Sequence, residues 1–148
     1  MTRELSRRLT HAMNRIDAAY YIDEQGDGIT DNAICVMYAL DDGERHTQAE
    51  ICREWLIPKT TLNSLVKRWE KDGLLEQALS QRDKRERTLK LTKDGLAFAR
   101  KYLQRIYKAE EAAMRSTLAK YGKDFVEAME FYSRSLEAEF TDKDSSEL

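Results

Sequence analysis

The segment that begins at Pro58 carries Lys59, Thr60, Thr61, Asn63, Ser64, Lys67 and Arg68 among the apolar residues Leu62, Leu65, Val66 and Trp69. The apolar residues recur at helical spacing, so turning them inward leaves the polar ones on the outer face of one helix. Those types suit groove reading. Asn bonds adenine in bidentate fashion, and Arg or Lys bonds guanine. Short Thr and Ser hydroxyls let a helix approach closely and bond phosphate or base edges. A solvated face usually alternates acids with bases, whereas Glu70 is the one acid in this helix. Further along, Arg82, Lys84, Arg85 and Arg87 surround the carboxylate of Asp83. An arginine on such a tip can enter a narrow minor groove, where negative potential is focused. Asp83 is expected to orient one of these arginines rather than to touch DNA.

The flanking residues predict the elements that hold this chemistry. Thr47-Gln48-Ala49-Glu50 has the spacing of a capping box and opens a short helix with Ile51, Cys52 and Trp55. That helix must stop before Pro58, because the residue preceding a proline is pushed out of the α region. Pro58 suits the first turn of the next helix, where its missing N–H costs nothing, and Gly73 supplies a left-handed stop. Two helices joined by so short a turn form a helix-turn-helix. Residues 74–79 and 87–91 follow as two short strands, and the polar, basic stretch between them is a hairpin tip, making a wing.

Outside this unit, Leu5, Leu9, Met13, Ile16 and Tyr20 mark one face of a first helix that ends where Gly26 and Gly28 break the pattern. Thr30 caps a second helix carrying Ile34, Met37, Tyr38 and Leu40. Thr92 caps a long helix that runs to Tyr121 and stops at Gly122. A last helix carries Phe125, Val126, Met129, Tyr132, Leu136 and Phe140, and residues 141–148 are expected to be a polar, frayed tail. The expected fold is mainly α with a small β wing: a winged helix-turn-helix at 30–95, a dimerisation helix at 1–29 and further dimerisation helices at 96–148.

The whole chain fits this reading. Its 148 residues suffice for one domain with a dimerisation appendage, and six glycines with a single proline favour long helices over sandwich folds. The formal charge of −2 argues against a nucleic-acid partner only until it is divided. Residues 53–105 hold 14 Lys and Arg against 7 Asp and Glu, a net of +7, and the remainder of the chain carries −9. The positive charge therefore coincides with the helix-turn-helix and wing, where phosphate contacts are needed.

Other chemistries find little support. Two cysteines, Cys35 and Cys52, are too few for a disulfide framework, and with no signal-peptide pattern and no membrane-length apolar run the expected location is the cytoplasm. Neither thiol falls where redox sensing is expected, since both lie near apolar faces, where a buried cysteine is inert. Asp23, Gln25, Asp27 and Gly28 imitate the opening of a calcium loop, but Ile34 stands where a bidentate Glu is required. His11 and His46 belong to no His/Cys cluster, so no metal, cofactor or catalytic group is expected and the chain does not read as an enzyme.

Three features carry a resemblance to a known family: the Thr47-Gln48 opening, the run Leu65-Val66-Lys67-Arg68-Trp69-Glu70-Lys71-Asp72-Gly73-Leu74, and Asp83-Lys84-Arg85 followed by Leu91-Thr92-Lys93-Asp94-Gly95. Together they resemble the winged helix-turn-helix of the MarR family of bacterial transcriptional regulators, and the flanking helices match in order and length. The resemblance implies an obligate homodimer whose first and last two helices interleave and whose winged domains both bind operator DNA. In that family the arginine of the wing's Asp-x-Arg element reaches the minor groove, and Arg85 occupies that position. The wing departs from the commonest pattern, which often begins Asp-Pro, by having Ser80-Gln81.

The candidate DNA contacts are thus Thr47, Gln48, Lys59, Thr60, Thr61, Asn63, Ser64, Lys67, Arg68, Arg82, Lys84, Arg85 and Arg87. Dimerisation is expected from periodicity as well, because a monomer would expose the apolar stripes of the outer helices. A two-fold dimer would read a pseudo-palindromic operator on double-stranded DNA. The function expected is a regulator, a repressor relieved by a small-molecule effector. Tyr20, Tyr21, Met37 and Tyr38 are the candidates for an effector pocket, although aromatic residues at helical spacing more often belong to a core. The alternative is a winged helix used for protein interaction, which would show apolar residues on the outer face of its second helix.

Overall fold

The computed structural model describes residues 1–23 and 29–144. Helices α1 (Thr2–Asp23) and α2 (Asp31–Leu40) are followed by strand β1 (His46–Thr47) and helices α3 (Gln48–Glu54) and α4 (Lys59–Lys71). Strands β2 (Leu75–Leu79) and β3 (Arg87–Leu91) lead to the long α5 (Lys93–Tyr121) and to α6 (Asp124–Asp144). Gly26 and Gly28, with Gln25 and Asp27 of the rejected calcium loop, lie outside the described residues. The helical pattern persists through Asp144, beyond the start of the expected frayed tail, and Thr141 Oγ1 donates to the Glu137 carbonyl at 2.9 Å.

The chain forms two compact units, Met1–Ile106 and Tyr107–Leu148. In the first, the core comes from Val36, Met37 and Leu40 of α2, Ile51 of α3 and Leu62, Leu65, Val66 and Trp69 of α4. Leu75, Leu89 and Leu91 of the sheet and Ala99, Leu103 and Ile106 of α5 complete it. The sheet order is β1-β3-β2, antiparallel throughout, with Leu75 opposite Leu91 and Leu79 opposite Arg87. The edge strand β1 pairs His46 with Leu89 and Thr47 with Thr88. Two residues carry no period, so only the exposed edge of β3 explains this strand.

Local signals start and stop most helices. Thr30 Oγ1 accepts the Ala33 N–H, capping α2. The capping box of α3 is complete: the Glu50 N–H donates to Thr47 Oγ1 at 3.1 Å, and the Thr47 N–H donates to Glu50 Oε2 at 2.8 Å. The bond from the Thr47 amide holds the Glu50 carboxyl below the usual carboxylate range. A carboxyl with a lowered folded pKa contributes stability at neutral pH, and that contribution is lost as the pH falls through the folded value. We therefore expect Glu50→Ala to cost ~1 kcal/mol at pH 7 and markedly less at pH 3, measured by urea denaturation at both values.

Pro58 stands one position earlier than its type suggests. With φ −59° and ψ 135° it is the N-cap of α4, and its carbonyl accepts the first helical bond, from the Leu62 N–H at 3.0 Å. The turn before it contains Leu56 at φ 52°, the one described non-glycine residue with positive φ, with its side chain 87% exposed. A left-handed leucine is strained by roughly 1–2 kcal/mol, whereas Asn tolerates that region. Leu56→Asn should raise the urea midpoint by the equivalent of ~0.5–1 kcal/mol, since no buried surface is lost.

In the second unit Gly122, at φ 71°, ends α5, and α6 follows at once. Met114, Leu118 and Tyr121 on α5 and Phe125, Val126, Leu136 and Phe140 on α6 are all exposed. Among the described residues from 107 to 141, none is buried. Beyond residue 106 both helices are amphipathic, and among the described residues the apolar side chains named here stay exposed.

Candidate nucleic-acid interface

Helix α4 turns Leu62, Leu65, Val66 and Trp69 into the core and leaves its opposite side open. Lys59, Thr60, Ser64, Lys67 and Arg68 are exposed, while Thr61 and Asn63 are half-buried at the rim. The Ser64 hydroxyl donates to the Thr60 carbonyl at 3.0 Å, which leaves it an acceptor on the outer side. Glu70 is drawn aside: Gln77 of β2 donates to its carboxylate at 2.9 Å. Lys71, absent from the sequence-derived set, is exposed and continues the stripe of Thr60, Ser64 and Lys67 at steps of four and three. Periodicity alone could have found it.

A clamp sets the end of α4. The Gly73 N–H donates to Glu70 O and the Leu74 N–H to Trp69 O, a Schellman arrangement with Gly73 at φ 71°. Thr92, entering α5, donates through Oγ1 to Gly73 O at 2.7 Å and through its amide to Leu74 O at 3.0 Å. Its Oγ1 also accepts the Gly95 N–H, so one threonine caps α5 and ties it to the turn after α4.

The wing is built by its backbone. Ser80 is buried, and its Oγ accepts from the amides of Arg82 and Asp83. The Ser80 N–H donates to Glu86 O, and the Glu86 N–H to Asp83 O, closing the tip. Asp83 acts on Arg85 through the main chain, Oδ1 accepting the Arg85 N–H at 2.8 Å. Arg82, Lys84, Arg85 and Arg87 are all exposed. Between the wing base and α3 lies a cleft of about 260 Å³ lined by Thr47, Gln48, Ala49, Cys52, Lys59, Arg85, Glu86 and Arg87. Five of these were candidate DNA contacts. Glu86 sits between Arg85 and Arg87 in the sequence, and only folding brings that segment against Cys52 and Lys59.

Two of the four effector candidates, Met37 and Tyr38, pack against neighbours. Met37 is fully buried, and the Tyr38 ring leans on Trp55 at 5.3 Å between centroids. Tyr20 is exposed on α1, and Tyr21 is outside the residues whose side chains are described. Neither cysteine forms a disulfide. Among the described residues no three His, Cys, Asp or Glu groups gather for a metal, and no helix is long and apolar enough to cross a membrane.

Residues 27–86, which span α2, the helix-turn-helix and most of the wing, match the MarR family. That segment is similar to the winged helix-turn-helix of the MarR family. The likeness extends beyond the matched segment. A MarR family regulator from Neisseria meningitidis superposes with a TM-score of 0.64 at 27% identity, covering 97% of this chain and 95% of that one. NadR in complex with 4-hydroxyphenylacetate gives 0.65 at 18% identity, over 89% and 91%. FabT of Streptococcus pneumoniae, in complex with DNA, gives 0.58 at 20%, over 96% and 99%. The last two share the fold. No curated protein matches the chain by sequence. The MarR fold, with its exposed second helix and basic wing, is that of a DNA-binding transcriptional regulator.

Proposed function

We propose that the protein is a homodimeric, sequence-specific DNA-binding regulator of MarR type, a repressor released by a small molecule. The observation that carries the DNA reading is the outer side of α4, where Lys59, Thr60, Ser64, Lys67 and Arg68 are exposed beside a wing with four exposed cations. Asn63 and Thr61 at the rim, with Lys67 and Arg68, supply base-reading groups, and the wing and Gln48 supply phosphate contacts. A protein-docking winged helix would show apolar groups on this face instead. Pairing of two copies is supported by the uncovered apolar stripes of α1, α5 and α6, which include Leu5, Ile16, Met114, Leu118 and Leu136. In this reading residues 30–95 bind DNA and the segments before and after them pair the protomers. Release by a small molecule is supported by NadR, a fold neighbour that holds 4-hydroxyphenylacetate.

Selection of bound duplexes from a random pool, followed by sequencing, tests the proposal. The expected result is a pseudo-palindrome whose half-sites are centred about one helical turn apart, roughly 34–36 Å. Equal affinity for random and selected duplexes, or no duplex binding in low salt, would overturn it.

A further inference from the structure

The cleft between α3 and the wing base contains one acid among three cations. Lys59 comes to it from the first turn of α4 and Arg85 and Arg87 from either side of Glu86 at the start of β3, and Glu86 lines the same space. The Glu86 backbone is pinned on both sides, its carbonyl accepting from Ser80 and its amide donating to Asp83, each at 2.9 Å. Its side chain is half-buried, so the carboxylate has limited freedom to leave. Among the described residues it makes no ion pair within 4.0 Å, and neither do the three cations. Glu86 therefore does not hold the cations in place. It stands beside them as an unspent negative charge.

A cleft with three unpaired cations on a DNA-facing surface fits a backbone phosphodiester, and a carboxylate beside that seat repels the same group. We propose that the cleft seats one phosphodiester of the DNA backbone and that Glu86 limits how tightly it is held, making Glu86 a residue that caps the sequence-independent affinity for DNA. The inference rests on the DNA-binding reading. Phosphate contacts contribute equally on every sequence, whereas base contacts from α4 do not. A charge beside that seat therefore lowers the affinity for every duplex by a similar factor and leaves the discrimination between sites to the base contacts.

The test measures binding of the full-length protein to a random-sequence duplex and to a selected operator duplex, for wild type, Glu86→Gln and Glu86→Ala, across a salt series. Glu86→Gln should bind both the random and the operator duplex about five- to tenfold tighter near ~0.15 M salt, with the ratio between the two little changed. Glu86→Ala should behave alike, which excludes an effect peculiar to the amide. In a Lys59→Gln background the gain should shrink, because the seat would already be weakened. Unchanged or weaker binding of the random duplex by Glu86→Gln, or an undiminished gain with Lys59→Gln, would overturn the inference while leaving DNA binding intact. Failure of the wild type to bind any duplex would overturn the regulator reading itself, and this one with it.

Discussion

Replacing Lys67 or Arg85 by Ala should weaken operator binding about 10- to 100-fold near ~0.15 M salt, with the fold unchanged. Both side chains are exposed and outside the core, so their loss removes no buried packing. The two act differently. Lys67 lies mid-face on α4 beside Thr60 and Ser64, within reach of base edges if the helix enters a major groove. Arg85 is held by the Asp83 carboxylate through its amide, so its side chain departs from a fixed backbone. In a two-fold dimer each substitution removes two cations, and the slope of log affinity against log salt should become shallower by about 1–2. A salt titration by fluorescence anisotropy gives both quantities. Intact affinity in both variants, with normal circular dichroism, would mean that α4 and the wing are not the DNA surface.

Gly95→Ala should be the most damaging glycine-to-alanine substitution among the described residues, costing ~3 kcal/mol or more of stability. A Cβ at Gly95 would sit 1.8 Å from the carbonyl oxygen of Leu74 and 2.8 Å from its carbonyl carbon. That oxygen cannot yield easily, since it accepts the Thr92 amide, and the neighbouring Gly73 carbonyl accepts the Thr92 hydroxyl. Relieving the clash means separating α5 from the turn that ends α4, which would also loosen the setting of the recognition helix. The gain in helix propensity from Gly to Ala, ~1 kcal/mol, is too small to offset this. Gly122→Ala is the control: it meets nothing within 4 Å and suffers only its positive φ, worth roughly 1–2 kcal/mol. Melting at fixed protein concentration should show a clearly larger loss for Gly95→Ala, and equal losses would refute the close-approach argument.

These two cases differ in how much of each could be read from the chain. The outer face of α4 follows from subtracting an apolar stripe, and the subtraction needs only periodicity. Thr47 with Glu50, Gly73 after the last helical turn, and Thr92 before Gly95 are likewise local signals, each acting over three or four residues, where the backbone geometry of a helix end dictates the partner. The MarR resemblance rested on the same local runs. By contrast, β1 has no signal of its own, and its pairing of His46 with Leu89 depends on an edge supplied from far along the chain. Ser80 gives no hint in the sequence that its hydroxyl turns inward to bond two amides of the wing tip.

The sequence by itself determined the helix-turn-helix, the wing, the basic segment of +7 and the apolar stripes that need a partner, because each is a property of neighbours or of a repeat. Only the tertiary structure decided that Gly95 lies against Leu74, that Gln77 draws Glu70 off the recognition face, and that Glu86 and Cys52 share a cleft with Lys59, Arg85 and Arg87. Contacts of that kind depend on how separate elements pack, and no local period or charge count encodes the distance between them.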